Sequence, residues 1–302
     1  MSDDLFEPIP VIPNINQQLI DAAVRDNPGF DREFVWIAIR HEFRDQVNAR
    51  WVAVRQFCEP NFVSEFQSKE KFNSRLWELN LRYLFRSKLT RVPGDGEPDV
   101  IGEDFVIEGV VPDPTGVPDM VFDGKLYNYP TDEIGRRVTA ALVAKLAQFN
   151  NRASRQNSRI DYATTPYIIA VGLPQREFRD AKHMSGMDIV ETVLVGAGPL
   201  QVTIDWAKNT GKVSVSSRSK MQTVNGTGYG IAYFQRDEWK GVSAVMWSAE
   251  WLPEIGDIKI LLNPNTTNPL DPTVLGVTPQ VITYTKTDIG YTRNQPLQES
   301  EN

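Results

Sequence analysis

Gly96-Glu97-Pro98-Asp99-Val100-Ile101-Gly102-Glu103-Asp104-Phe105-Val106-Ile107-Glu108-Gly109-Val110-Val111 is the stretch on which the fold turns. β-Branched and apolar residues flank Gly102-Glu103-Asp104, a pattern that predicts two short strands folded about that turn. Counting outward from the turn, Asp99 on the first strand lies opposite Glu108 on the second. Cross-strand neighbours are about 5 Å apart at Cβ, close enough for two carboxylates to share one divalent cation. Glu108 is also embedded among Phe105, Val106, Ile107, Val110 and Val111, an apolar run expected of a buried strand. A carboxylate in such a run is costly unless it is paired, hydrogen-bonded or bound to metal.

Helical periodicity precedes and follows this hairpin. Phe72, Leu76, Leu79, Tyr83 and Leu84 form an apolar stripe that predicts a helix from Lys71 to Leu89, broadened by Trp77 and Leu81, with Glu78 near the stripe's edge. After a turn-rich segment, Pro112 to Pro130, a second helix is predicted from Asp132 to Asn150, where Ile134, Val138, Ala141, Leu142, Lys145 and Phe149 follow the repeat. Tyr167-Ile168-Ile169-Ala170-Val171-Gly172 then reads as a fully buried strand. Farther on, Asp188–Val195 suggests a helix. Strands are expected at Gln201–Trp206, Lys212–Ser217, Tyr229–Phe234, Val242–Trp247 and Asp257–Leu262.

Upstream, a proline-containing arm (residues 1–16) leads into a helix from Asn16, and Asp31 is an N-cap for a long helix, Phe34 to Phe57, with His41 on its inner face. The expected organisation is an N-terminal arm and helical cap (1–70), an α/β core (71–262) and an extended C-terminal tail (263–302). The fold class is α/β or α+β, a mixed central β-sheet flanked by helices.

Composition narrows the function classes. Hydrophobic content of 41% suffices for a sizeable core, and a net charge of −7 excludes a dedicated DNA-coating protein, so any nucleic-acid contact must come from a local patch. A single cysteine, Cys58, excludes an internal disulfide and a multi-cysteine zinc site. His183 has no second His or Cys nearby, and Ser185-Gly186 shows no nucleophile-elbow pattern. No apolar run nears the roughly 20 residues that span a bilayer, and Met1-Ser2-Asp3-Asp4 lacks signal-peptide character, so a soluble cytoplasmic protein is expected. Two basic groups stand out. One runs from Lys71 to Arg91 and is broken by Glu78. The other comprises Arg136, Arg137, Lys145, Arg152, Arg155 and Arg159, with no acid among them.

The helix–hairpin–helix–strand order and the acids on it resemble the PD-(D/E)XK, or restriction-endonuclease-like, nuclease superfamily. Glu78 matches that family's helix carboxylate, Pro98-Asp99 its Pro-Asp, Glu108 its second strand acid, and Tyr167–Val171 its next core strand. The resemblance covers Phe72 to Gly172, about a third of the chain. It implies a restriction-endonuclease-like core and a Mg²⁺- or Mn²⁺-dependent nuclease acting on DNA. Asp99, Glu108 and the Gly109 carbonyl are then the metal ligands, and Glu78 assists. The family's lysine position, two residues after the second acid, is occupied by Val110. Lys145 on the following helix is the first replacement and Arg137 the second. Arg136, Arg137, Arg152 and Arg155 are the expected nucleic-acid contacts.

The residues also admit plainer roles. Glu108 could form a structural ion pair with Arg136 or Arg137, Glu78 could pair with Arg75 or Arg82, and Lys145 could be a snorkelling helix lysine. The alternative function is a catalytically inactive nuclease-fold protein serving as a binding or assembly module. No membrane association is expected, and the helical cap is the surface for a homodimer or protein partner. An unrelated structural or interaction protein is a third reading.

Overall fold

Two polar side chains start the N-terminal helices where the sequence places them. Asn16 Oδ1 accepts the Leu19 N–H (2.9 Å) at the head of α1 (Gln17–Asp26), and Asp31 Oδ1 accepts the Glu33 N–H (2.8 Å) at the head of α2 (Arg32–Ala38). The structure is a computed structural model. It describes residues 4–13, 15–118, 121–122, 127–128, 130–155, 158–174, 178, 188–205, 210–217, 219–222, 226, 228–287 and 290–294. His183 and Ser185-Gly186 lie outside the described residues.

The long helix expected from Phe34 to Phe57 is two helices, α2 and α3 (His41–Val54), followed by a 3₁₀ turn. Arg40 is extended between them (φ −99°, ψ 111°). The Arg44 guanidinium lies below the break, donating to the Ala38 carbonyl at 3.0 Å and to Ile9 O, and pairing with Asp4. A charged donor thus takes a carbonyl that a continuous helix would have used. The break also changes the helix face, so His41 is exposed and paired with Asp45 (2.9 Å) rather than packed in the core. A short helix the periodicity did not reveal, α4 (Phe62–Phe66), follows, and then α5 (Phe72–Leu84).

Beyond α5 the chain supplies thirteen strands among the described residues. β1 (Val100–Ile101) and β2 (Val106–Val110) form the expected antiparallel pair, with Val100 opposite Ile107 and Ile101 opposite Val106. A small β3–β4 hairpin (Val121–Phe122, Tyr127–Asn128) precedes α6 (Thr131–Ala153), which leads to β5 (Tyr167–Gly172). Then come α7 (Ile189–Val195), the β6–β7 hairpin (Ala197–Asp205, Thr210–Ser217) and the β8–β9 hairpin (Lys220–Gln222, Gly228–Gly230). The strand expected at Tyr229–Phe234 stops at Gly230. Ala232 adopts a left-handed conformation (φ 65°) and a 3₁₀ turn begins there. β10 (Ala244–Ser248), β11 (Lys259–Leu262), β12 (Gln280–Thr287) and β13 (Gly290–Asn294) complete the order.

Seven strands make one mixed sheet in the order β1-β2-β5-β10-β11-β12-β13. β2, β5 and β10 run parallel, β11 is antiparallel to β10, and β12 is parallel to β11. The segment expected as an extended tail after residue 262 therefore supplies two strands of this sheet, β12 and β13. Polar threonines alternating with Ile282 and Tyr284 conceal a one-sided strand, whose buried residues face the core.

The sheet is covered on both faces. On one, Ile134, Val138, Leu142, Leu146 and Phe149 of α6 pack with Val106 and Ile169. On the other, Trp77, Leu81 and Leu84 of α5 pack with Val100, Ile107, Ile168 and Ala170. α5 is buried twice, because Phe72, Leu76 and Leu79 on its opposite side enter an aromatic cluster with Phe34, Trp51, Phe62 and Phe66. The layers are thus N-terminal helices, α5, sheet, and α6 with α7. Arg50 of α3 fastens them, donating to Asn80 of α5 (2.8 Å) and to the Pro253 carbonyl (3.0 Å). No helix among the described residues is long and apolar enough to cross a membrane.

The closest approach of α5 to the sheet is at Gly172. A Cβ there would lie 2.7 Å from the Trp77 ring, and Trp77 Nε1 donates to the Ala170 carbonyl (3.0 Å), which holds the ring in place. Gly172→Ala should therefore lower the unfolding free energy by about 1–3 kcal/mol, the usual cost of overpacking. Gly29→Ala, where a Cβ meets nothing within 4 Å, should stay within about 0.5 kcal/mol of wild type. Denaturant midpoints at constant m-value decide this, and equal midpoints for the two variants would contradict the packing described.

Candidate functional site

Continuing the Val100–Ile107 register by one residue on each strand puts Asp99 across from Glu108. The alternation of β2 directs the neighbouring residues. Val106 faces α6, Ile107 faces α5, and Glu108 turns again to α6. Glu108 is 3% exposed and both its oxygens are occupied. Lys145 Nζ donates to Oε1 at 2.6 Å and Arg152 Nη1 donates to Oε2 at 2.5 Å. Lys145 and Arg152 are seven residues apart, two turns of α6, and so share the face that carries Leu142 and Phe149. Arg152 also donates to the carbonyls of Gly96 (2.6 Å) and Glu97 (3.2 Å), tying the loop before β1 to the same carboxylate.

Gly109 follows on the α5 side. Its N–H donates to Asp99 Oδ2 at 2.7 Å, and a Cβ at this position would stand 3.2 Å from that oxygen, 3.1 Å from Leu81 and 3.3 Å from Trp77. Glycine is thus the residue that lets the Asp99 carboxylate reach the backbone of β2 beneath α5. From α5, Arg82 Nε donates to the Asp99 carbonyl (3.2 Å) while its Nη2 donates to Glu59 (2.9 Å). Glu78, one turn before Arg82, pairs with Arg75, which also pairs with Glu65.

These contacts leave the acids in unequal states. Burial, then the negative charges of Glu78 and Glu108, push the Asp99 carboxyl well above the usual carboxylate range, against the opposing pull of Lys145 and the Gly109 N–H. Burial also raises Glu78, with Arg75 and Arg82 opposing. The structure therefore brings Glu78, Asp99, Glu108 and Lys145 into mutual electrostatic reach. Glu108 pairs with Lys145 and Arg152, not with the Arg136 or Arg137 considered from sequence. Arg137 lies eight residues before Lys145, about 12 Å along the helix axis, beside Gly116 and Asp113. Arg136 is half-buried one residue earlier, and Arg155 is exposed past the end of α6.

Among the described residues, no three acidic, His or Cys side chains form a group that could hold a metal ion. Mg²⁺ does not require such a cage, since it keeps several waters and is commonly bound through one or two carboxylates plus substrate phosphate. Asp99, Glu108 and the Gly109 carbonyl are hard oxygen donors, and burial, then the Glu78 and Glu108 charges, raise the Asp99 carboxyl. The residues fit an oxygen-ligated divalent cation in donor type.

Of the two partners expected for Glu78, Arg75 takes it, whereas Arg82 holds the Asp99 carbonyl and Glu59. Glu59 was not singled out from sequence, because it arrives from outside the helix–hairpin–helix segment. The seven-residue spacing of Lys145 and Arg152, two helical turns, is the signal that could have placed both against Glu108. No protein-family model matches this chain, and no curated protein or solved structure matches it significantly.

Asp99 supplies a pH test. Its folded-state carboxyl binds a proton more tightly than the unfolded chain's, so the cost of ionising it is absent below the ordinary value of about 4 and grows as pH rises through the window up to the raised folded value. Asp99→Asn keeps an oxygen for the Gly109 N–H and removes that cost. The variant should be more stable than wild type at neutral pH, with the difference shrinking to nothing near pH 4. Urea unfolding across pH measures this, and a variant less stable than wild type at pH 7 would refute the proposed strain.

Proposed function

We propose that the protein is a metal-dependent nuclease that hydrolyses phosphodiester bonds in DNA, with a restriction-endonuclease-like core formed by α5, β1, β2, α6 and β5. The observation that carries the reading is the contact between Lys145 and Glu108 beside Asp99, whose ionised form is disfavoured by burial and then by two neighbouring carboxylates. In this reading a lysine from the following helix stands in for the one that Val110 replaces. Asp99, Glu108 and the Gly109 carbonyl would hold Mg²⁺ or Mn²⁺, with Glu78 nearby. Such an ion activates water and neutralises phosphate charge.

The chain's own groups have separable tasks. Asp99, whose carboxyl is held above the usual range by burial and neighbouring charges, would have to be deprotonated to ligate a cation, so binding would be coupled to pH. Arg82 and the Gly109 N–H fix Asp99 from both ends, through its carbonyl and its carboxylate. Lys145 offers its charge to the phosphate as negative charge develops there, a contribution that counts only where it favours the transition state over the bound substrate. Arg152 stays paired with Glu108 when Lys145 turns away.

A second reading, a catalytically inactive module for binding or assembly, is favoured by the occupancy of both Glu108 oxygens. Purified full-length protein with Mg²⁺ or Mn²⁺ should cleave DNA, and Asp99→Asn and Lys145→Met should each slow cleavage by about 100-fold or more. Asp99→Asn is the cleaner probe, because it is expected to fold well. Cleavage at the wild-type rate by folded Asp99→Asn would remove the nuclease reading. Absence of both cleavage and Mn²⁺ binding by calorimetry in wild type would favour the inactive module.

A further inference from the structure

A cleft of about 300 Å³ opens between the loop before β1 and the C-terminal end of α6, one side chain away from Glu108. Gly96, Glu97, Arg152, Arg155, Arg159 and Tyr162 line it. Arg152 belongs to both places. Its guanidinium holds Glu108 and the Gly96 and Glu97 carbonyls while lining the cleft wall. Arg155 and Arg159 are exposed, and among the described residues neither has an ion-pair partner.

Two acids lie on the opposite wall, Glu97 and the exposed Asp95, and Glu97 is already paired. Glu97 accepts from Arg91 and from the Gly94 N–H (2.7 Å), contacts that hold its carboxyl below the usual range. The C-terminus of α6 contributes only about half a negative charge, against the full positive charges of Arg155 and Arg159. Guanidinium forks match phosphate oxygens bidentately, and Tyr162 adds an aromatic wall. The volume is at the lower end for small-ligand sites, enough for one nucleotide and too small for a duplex.

Building on the nuclease reading, we propose that this cleft is a single-nucleotide subsite. Arg155 and Arg159 hold the phosphate of a nucleotide in an unpaired strand, and the substrate class is single-stranded nucleic acid. The strand's next phosphate lies toward Glu108 and Lys145, past the Arg152 guanidinium. Electrostatic backbone contact and an aromatic wall are the usual ingredients of sequence-tolerant single-strand binding.

Fluorescence anisotropy on the full chain in EDTA tests this with a labelled oligothymidine, a hairpin-free duplex of equal length, and a nucleoside 5′-monophosphate or its nucleoside as competitor. The oligothymidine should bind about tenfold or more tighter than the duplex, and the monophosphate, not the nucleoside, should displace it. The double variant Arg155→Ala/Arg159→Ala should lower affinity about tenfold. It should also flatten the slope of log K against log salt by about 1.4, two contacts at about 0.7 each for single strands. Both residues are exposed, so an unchanged melting temperature is expected to certify the fold. Unchanged binding by that variant, or a duplex bound as tightly as the single strand, would overturn the subsite. Single-strand binding lost in the double variant but never followed by cleavage in wild type would retain the subsite and remove the nuclease. Cleavage with binding indifferent to Arg155 and Arg159 would do the reverse.

Discussion

Burying Glu108 in the second strand of a mixed sheet is the constraint to which the surrounding structure answers. A carboxylate 3% exposed among Val106, Ile107 and the α6 face is costly to bury without partners. Lys145 and Arg152 meet that demand only because α6 crosses the sheet with both residues on its inner stripe. Removing either partner from a buried ion pair typically costs about 3–5 kcal/mol, whereas a well-packed apolar replacement of the whole set can be neutral. Three buried charges here are therefore poorly explained by stability alone.

The opposite face of the sheet is organised by close approach rather than charge. Glycines at 109 and 172 let α5 settle onto β2 and β5, with Trp77 spanning the two. That proximity carries Glu78 and Arg82 to the edge where Asp99 enters β1. The N-terminal helices then share in the site without touching β2, since Glu59 takes the Arg82 guanidinium and Glu65 takes Arg75. The cap is joined to α5 by an aromatic core and by these ion pairs together, so the boundary expected at residue 70 is a continuous packed interface.

Local features were legible where one residue's chemistry dictated the outcome. The Gly102 turn, the N-caps at Asn16 and Asp31, the register of Asp99 with Glu108 and the burial of Tyr167–Gly172 all follow from short-range rules. What escaped depended on distant partners. Nothing near Arg40 announces a helix break, because the competing donor, Arg44, is itself held by Asp4 and Ile9 from the N-terminal arm. His41 was misassigned for the same reason. The strands β12 and β13 were hidden because threonine-rich segments at a sheet margin bury only alternate residues, and their partner β11 lies many residues earlier. Arg152 was visible as a basic residue, but its commitment to Glu108 required knowing that α6 runs unbroken past Asn150 to Ala153.

The charges at the site do not cancel evenly. Glu108 has Lys145 and Arg152, Glu78 has Arg75, and Glu97 has Arg91. Asp99 alone of the four has no Lys or Arg within 4 Å of its carboxylate among the described residues, where the Gly109 N–H donates to it. An ionised carboxylate so placed, under repulsion from Glu78 and Glu108, can be relieved in two ways. It can hold a proton, which satisfies an inert module at neutral pH, or it can take up a cation, which a nuclease requires. The two outcomes differ in what they ask of the neighbours. A proton needs no rearrangement, whereas a shared cation needs Glu108 to release an oxygen from Lys145. Arg152 makes that release affordable by continuing to neutralise Glu108 through the other oxygen. The doubled pairing of Glu108 thus leaves one ion pair in place when the other opens, an arrangement that the proposed phosphodiester chemistry can use.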